Sequence, residues 1–202
     1  MADEAHDPQT LAFYDREAGA YAARRLPKAS PRLTAFLAAL PAGAQVLDLG
    51  CGGGQDSQVM LAQGFEVTPL DGSASLARIA EARLGRSVRV QLFEALEDEA
   101  CFDGVWANAA LLHVPTAGLV QVLARVRRAL KPGGSFHATY KAGEGGGRDA
   151  LGRYFNFPSE AELRAAYEQA GPWVDLEIRQ GPGHSYEQEE RIWLEVATRK
   201  GR

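Results

Sequence analysis

Four of the five residues from Gly50 to Gly54 are glycine, and they close the short apolar run Val46-Leu47-Asp48-Leu49. An apolar run of this length bounded by glycines reads as a buried strand. The residues that follow, Gln55 to Gln63, read as a short helix stopped by Gly64. Glycine lets the backbone turn sharply from one element to the other, and it lets a ligand lie against bare main chain. A plain tight turn is the competing reading, but one turn seldom needs four glycines in five residues. The chain holds 22 glycines, above the average of about 7%, and they cluster at 50–54 and again at 143–147.

The same alternation of strand and helix runs along most of the chain. Asp7-Pro8 and Ser30-Pro31 are N-cap and first-turn pairs that open two helices. After the glycine loop, Phe65 to Leu70 reads as a second strand, and Ser73 caps a helix with Leu76, Ile79 and Leu84 before Gly85. Val88, Val90 and Leu92 alternate as a third strand, and Phe102 to Ala107 is a fourth. Leu119, Val122, Leu123, Val126 and Leu130 form the strongest amphipathic helix, ended by Lys131-Pro132-Gly133-Gly134. Ser135 to Tyr140 is a fifth strand, and Ser159 with Glu162 forms a capping box for a further helix. The final strands, around Val174-Leu176-Ile178 and Ile192-Leu194-Val196, have no helix between them and should pair antiparallel. Repeated βαβ units predict an α/β fold: a doubly wound, mostly parallel seven-stranded sheet with a C-terminal antiparallel hairpin. Residues 1–202 read as a single domain, with 1–29 as an N-terminal helical extension.

Charge and composition narrow the function. The net charge of −4 gives no broad attraction for nucleic acid. No apolar stretch approaches the 18 or more residues of a membrane span. Asp3, Glu4 and Asp7 stand where a signal peptide would be basic. Cys51 and Cys101 are too few for a disulfide framework and show no CxxC spacing. The expectation is a cytoplasmic monomer or homodimer that binds a small molecule, with no nucleic-acid or membrane partner and no metal.

Ligands of such sheets sit at the C-terminal strand ends, where strand order reverses. The glycine pattern there is G-x-G-x-G, with Asp48 two residues upstream; Gln55 breaks the G-x-G-x-x-G expected of a dinucleotide site. Asp71, with Gly72 beside it, lies 21 residues beyond Gly50 at the end of the second strand. An acid there can accept both hydroxyls of a ribose. The competing reading makes it a helix-end charge ahead of Ser73. Together the two features point to an adenosine-type ligand.

With Val46-Leu47-Asp48-Leu49-Gly50-Cys51-Gly52-Gly53-Gly54, Asp71, Phe102-Asp103-Gly104-Val105-Trp106 and Leu130-Lys131-Pro132-Gly133-Gly134 in order, the chain resembles the class I S-adenosylmethionine-dependent methyltransferases. It is most similar to small bacterial enzymes of the tellurite-resistance and small-molecule type. The resemblance implies S-adenosylmethionine as cofactor, S-adenosylhomocysteine as product and a small-molecule methyl acceptor. It implies that Gly50, Cys51 and Gly52 pass beneath the methionine and ribose, that Asp48 anchors this loop, and that Asp71 takes the ribose hydroxyls. Phe93, Glu94, Ala95 and Leu96 would flank the adenine, and Asn108 would meet the methionine end. Tyr14, Tyr21 and Arg25 of the N-terminal segment would close over the cofactor. An RNA or protein methyltransferase, or a non-catalytic binder of S-adenosylmethionine, is the alternative.

The acceptor side is less legible. His113 follows strand four and is the candidate general base, with a purely structural histidine as the competing reading. Tyr140, Arg148 and Tyr154 flank the second glycine cluster and are candidate substrate contacts, with His184 and Tyr186 as further contributors.

Overall fold

The computed structural model describes residues 5–23, 30–184 and 190–202. In chain order it contains α1 (Pro8–Ala22), α2 (Pro31–Ala38), β1 (Gln45–Leu49), α3 (Gln55–Ala62), β2 (Glu66–Asp71), α4 (Ala74–Leu84) and β3 (Arg89–Val90). There follow β4 (Phe102–Ala107), α5 (Thr116–Ala129), β5 (Leu130–Lys141), β6 (Gly147–Arg148), β7 (Tyr154–Phe155), α6 (Glu160–Ala170), β8 (Trp173–His184) and β9 (Glu190–Lys200). Single 3-10 turns cover Phe93–Ala95 and Leu111–His113. The helix starts follow the sequence signals. Asp7, Ser30, Ser73 and Ser159 each accept a hydrogen bond from a first-turn backbone N–H, a contact worth about 1 kcal/mol apiece.

Seven strands form one sheet in the order β3-β2-β1-β4-β5-β9-β8. The strands from β3 to β5 run parallel, and β9 pairs antiparallel with both β5 and β8. Side chains of β1 alternate between the two faces. Val46 joins Leu33, Phe36, Met60 and Trp106 on one side, while Leu47 and Leu49 join the α5 face of Leu119, Val122, Leu123 and Val126 on the other. Burial on both faces is what makes β1 apolar from Val46 to Leu49, apart from Asp48. The chain turns from β1 to β2 and β3 on one side, then returns through β4 and β5 on the other. The switch point therefore lies between β1 and β4.

Two sequence expectations need correction. The third strand shrinks to two residues, because β3 is an edge with Val90 57% exposed, and Leu92 leaves the ladder before the 3-10 turn. Helix α5 ends at Ala129, before the Lys131-Pro132 turn, and Leu130 already pairs with Phe102. Pro132 forces its predecessor out of helical conformation, so the turn becomes an irregularity inside β5. The second glycine cluster leads into a short hairpin in which β6 pairs with β7. Among the described residues, no helix is long and apolar enough to cross a membrane.

Candidate functional site

The glycine loop leaves β1 at the switch point. The N–H groups of Gly50 and Cys51 both donate to the Leu70 carbonyl, at 2.8 and 2.9 Å, and so clamp the loop to the end of β2. Gly50 has a φ of +81°, and a Cβ there would sit 2.5 Å from the Ala110 Cβ and 3.3 Å from the Phe93 ring. Only glycine fits both the turn and the approach. Cys51 is buried, and that burial pushes its thiol pKa far up, which disfavours the reactive thiolate.

Two acids hold the loop from below. Asp48 accepts from the Ser57 hydroxyl at 2.5 Å, tying β1 to the start of α3. Burial, with neighbouring Asp56 adding to it, raises the Asp48 carboxyl pKa. Asp71 accepts the Gly52 N–H on one oxygen and the Ser73 N–H on the other, each at 2.8 Å. Both sequence readings of Asp71 thus have a counterpart: it stabilises the start of α4 and also points into the cleft. Burial raises its pKa to about 6, against the two backbone donors. Each carboxylate oxygen keeps a second lone pair for a ligand donor.

The cleft encloses about 750 Å³, open solvent included, and lies between the ends of β1, β2 and β4. It brings together Tyr14, Tyr21, Gly50, Gly52, Asp71, Gly72, Phe93 and Asn108 of the sequence candidates. A smaller recess beside it gathers Asp48 and Cys51 with Gly50, Gly52 and Asn108. Three adenine-flank candidates stand apart from these linings. Leu96 is fully buried in the core, Ala95 is exposed, and Glu94 takes a hydrogen bond with His6 at 2.6 Å. The 3-10 turn rotates them away and leaves Phe93 with Gln91 and Leu92 facing the cavity.

Helix α1 roofs the cleft and is fastened along its length. Asp7 pairs with Arg148 through both oxygens, at 3.0 and 2.6 Å. Thr10 Oγ1 accepts the Tyr154 N–H at 2.7 Å. Asp15 accepts from the Ser73 hydroxyl and the Ser75 N–H. Arg148 holds Asp7 well below the usual carboxylate range, at about 2. Arg25 and Tyr186 lie outside the described residues.

A second cavity adjoins the first and shares Tyr14, Tyr21, Asn108, Ala109 and His113 with it. His113 Nδ1 lies 2.7 Å from the Tyr154 carbonyl, which can only accept, so this nitrogen carries the proton. Burial lowers the His113 pKa to about 3, leaving the ring neutral. Its Nε2 therefore accepts from the Tyr14 hydroxyl at 2.8 Å.

The substrate candidates on β5 and β6 need correction. Tyr140 is fully buried and meets Tyr167 in the core; strand alternation turns Lys141, not Tyr140, toward the second cavity. Arg148 is engaged by Asp7, and neither cavity lining includes it. Tyr154 contributes main-chain groups to Thr10 and His113, while its hydroxyl lies against Gly146. The second cavity does contain Lys141, Arg153, Phe155 and His184, together with Arg32 and Trp193. Arg32 and Trp193 escaped sequence reading because α2 and β9 reach the site only through the fold. Lys141, Arg153 and Phe155 did carry a signal, since glycines flanked by charge and aromatics follow strand five at this end of the sheet.

Residues 46–134 match a family model described as a methyltransferase domain. The ubiquinone biosynthesis O-methyltransferase of Xanthomonas oryzae pv. oryzae is 40% identical over 101 residues, covering 46% of this chain and 41% of that protein. The Xylella fastidiosa enzyme of the same name is 39% identical over 100 residues, covering 46% and 39%. The chain thus spans about two fifths of the length of the curated relatives it matches. Among solved structures, an S-adenosylmethionine-dependent methyltransferase of Methanosarcina mazei superposes with a TM-score of 0.76 at 19% identity, covering 87% of this chain and 99% of that one. The Burkholderia thailandensis 1,6-didemethyltoxoflavin-N1-methyltransferase, solved with 1,6-didemethyltoxoflavin and S-adenosylhomocysteine, gives 0.68 at 24% identity, covering 95% and 88%.

Proposed function

We propose that this chain, whose residues 46–134 match a methyltransferase domain and whose fold is that of S-adenosylmethionine-dependent methyltransferases, transfers a methyl group from S-adenosylmethionine to a small-molecule acceptor. The observation that carries the reading is the pair of adjoining cavities. One is floored by bare glycine backbone and walled by Asp71; the other opens from it across Asn108, Ala109 and His113. The curated relatives act, by name, in ubiquinone biosynthesis, which supports a small acceptor. A cytoplasmic setting and a monomeric or dimeric chain, residues 1–202 forming one domain with 1–29 as its lid, complete the proposal.

S-adenosylmethionine supplies an activated methyl on a positive sulfur, so the protein's main task is alignment. Gly50 and Gly52 form the floor for its methionine and ribose portions, and Asp71 accepts the ribose hydroxyls. Phe93 covers one side of the adenine, with Gln91 and Leu92 beside it in the cleft lining. Tyr14 and Tyr21 on α1 close the roof where the two cavities meet. Holding the acceptor in line supplies about 7–11 kcal/mol. His113, neutral and weakly basic, positions Tyr14 rather than acting as a strong base.

S-adenosylmethionine and S-adenosylhomocysteine should each raise the melting temperature, while NAD and NADP should not. At 100 times the dissociation constant the gain is about 2.7 kcal/mol. A shift with NAD alone overturns the assignment.

Asp71→Ala should weaken S-adenosylhomocysteine binding while the protein stays folded. Two charge-assisted hydrogen bonds of about 1.5–3 kcal/mol each set the upper scale. The raised pKa has two consequences. In the free protein, Asp71 favours folding less as pH climbs from about 4 to 6, because the folded state holds its proton more tightly. Ligand hydroxyls prefer the carboxylate, so affinity should fall as pH drops below about 6. Calorimetry across about pH 4–8 checks both; a flat profile with unchanged mutant affinity would make Asp71 a helix-end charge only.

A further inference from the structure

Asn108 stands where the parts of the site meet. It follows directly on β4, and it lines the cleft, the recess beside it and the second cavity. An amide can face a ligand with either its oxygen or its nitrogen, so its orientation decides what the site offers. Two neighbours fix that orientation. The Thr139 hydroxyl accepts the Ala109 N–H at 2.7 Å and donates its own proton to Asn108 Oδ1 at 3.1 Å. On the other side, Asp56 Oδ2 accepts from Asn108 Nδ2 at 3.2 Å. The amide oxygen is thereby turned to β5 and the nitrogen to α3. Its second N–H takes no protein partner among the described residues.

Asp56 is itself firmly held. The buried Trp106 indole donates to the same Oδ2 at 2.8 Å, and its ring is stacked on His137, so that donor cannot swing away. Asp56 stands in the first turn of α3, where the helix dipole favours a carboxylate. The next residue, Ser57, donates to Asp48 on β1. Two consecutive residues thus tie the start of α3 to β1 and β4, and Asp56 joins Asp48 in the wall of the recess. The backbone beyond Asn108 is constrained as well. Ala109 has a left-handed φ of +52°, which a residue with a side chain keeps only where its surroundings over-determine it. Thr139 supplies that hold through the Ala109 N–H.

We propose that Asp56 is a positioning residue for the methionine end of the cofactor: it keeps the Asn108 amide turned so that its remaining N–H meets the ligand's carboxylate. This rests on the methyltransferase reading and deepens it, naming a residue outside the glycine loop that sets how the amino-acid end is read. Asp56 acts through Asn108 and not by its own charge. Without it the amide can turn and present its oxygen, which repels a carboxylate. The ribose and adenine groups, Asp71 and Phe93, line the cleft and not the recess, so their contacts stay as they are.

The test is calorimetric titration of the full chain with S-adenosylhomocysteine and with 5′-methylthioadenosine, which lacks the amino-acid end. Asp56→Ala should weaken S-adenosylhomocysteine at least about tenfold, the scale of one charge-assisted hydrogen bond. It should change 5′-methylthioadenosine by less than about twofold. Asn108→Ala should do the same. Adding Asp56→Ala to it should cost at most about a further twofold, because residues that act as one are not additive. Asp56→Asn should recover most of the affinity, since its carbonyl can still accept from Trp106 and Asn108. Unchanged S-adenosylhomocysteine affinity in Asp56→Ala, equal losses for the two ligands, additive losses in the double variant, or an Asp56→Asn variant as weak as Asp56→Ala would each overturn the proposal. Should Asp56→Ala not fold, Asp56→Ser takes its place, keeping an oxygen in the first turn of α3 but not the reach to Asn108. Failure of the wild-type protein to bind S-adenosylhomocysteine is a different result, and it would remove the methyltransferase reading beneath.

Discussion

Gly50→Val should abolish cofactor binding while most of the fold persists. At a φ of +81°, a residue with a side chain pays about 1–2 kcal/mol for left-handed backbone. Its Cβ would also overlap the Ala110 Cβ at 2.5 Å, and such overpacking typically costs about 1–3 kcal/mol. The loop can relieve that overlap only by moving, which spoils the floor between Gly50 and Gly52. We expect S-adenosylhomocysteine affinity to fall about a hundredfold or more, equivalent to about 2.7 kcal/mol. Gly64→Val is the control. Gly64 has a similar φ of +85° with nothing within 4 Å, so it should lose stability by strain alone and keep its affinity. Binding titrations beside urea denaturation separate the two effects. Equal affinity losses in both variants would show that the Ala110 contact is irrelevant to the site.

Trp106→Ala should be the most destabilising single change in the sheet, at about 3–5 kcal/mol. Trp106 on β4 is fully buried among Phe36, Val46 and Met60. Its ring stacks on His137, with centroids 4.3 Å apart and an interplanar angle of 17°. The indole N–H donates to Asp56 at 2.8 Å. Truncation removes the ring and leaves that carboxylate with Asn108 as its remaining described donor. Trp106→Phe should fall between, keeping most of the buried area but not the hydrogen bond. Urea midpoints with unchanged slope measure the loss; less than about 1 kcal/mol for alanine would mean the α2 layer repacks freely around the gap.

Local signals carried the fold a long way. The caps at Asp7, Ser30, Ser73 and Ser159 act within one helical turn, so residue type and spacing suffice to find them. The helical pattern likewise reveals which face of α5 is buried, and the continuous apolar run marks β1 as buried on both faces. The glycine loop and Asp71 were legible because each depends on backbone constraints confined to a few consecutive residues. The same locality explains the errors at the edge. Whether Val88 to Leu92 forms a long strand depends on a neighbour to pair with, and β3 has one on a single side only.

The amino-acid sequence by itself determined the alternation of strands and helices, the switch-point glycine turn and the acid at the end of β2, since all three rest on short-range sterics and hydrogen bonding. Tertiary structure alone decided the rest of the site. It turned Tyr140 into the core and Lys141 toward the second cavity, gave Arg148 to Asp7, and set His113 between Tyr14 and the Tyr154 carbonyl. It also brought Arg32 and Trp193 from α2 and β9 to a cavity at the ends of β4 and β5. No local pattern encodes those meetings. They arise from the sheet order, which places β9 beside β5, and from the docking of α1 across the strand ends, where residues far apart in the chain desolvate one another and set which charges face the ligand.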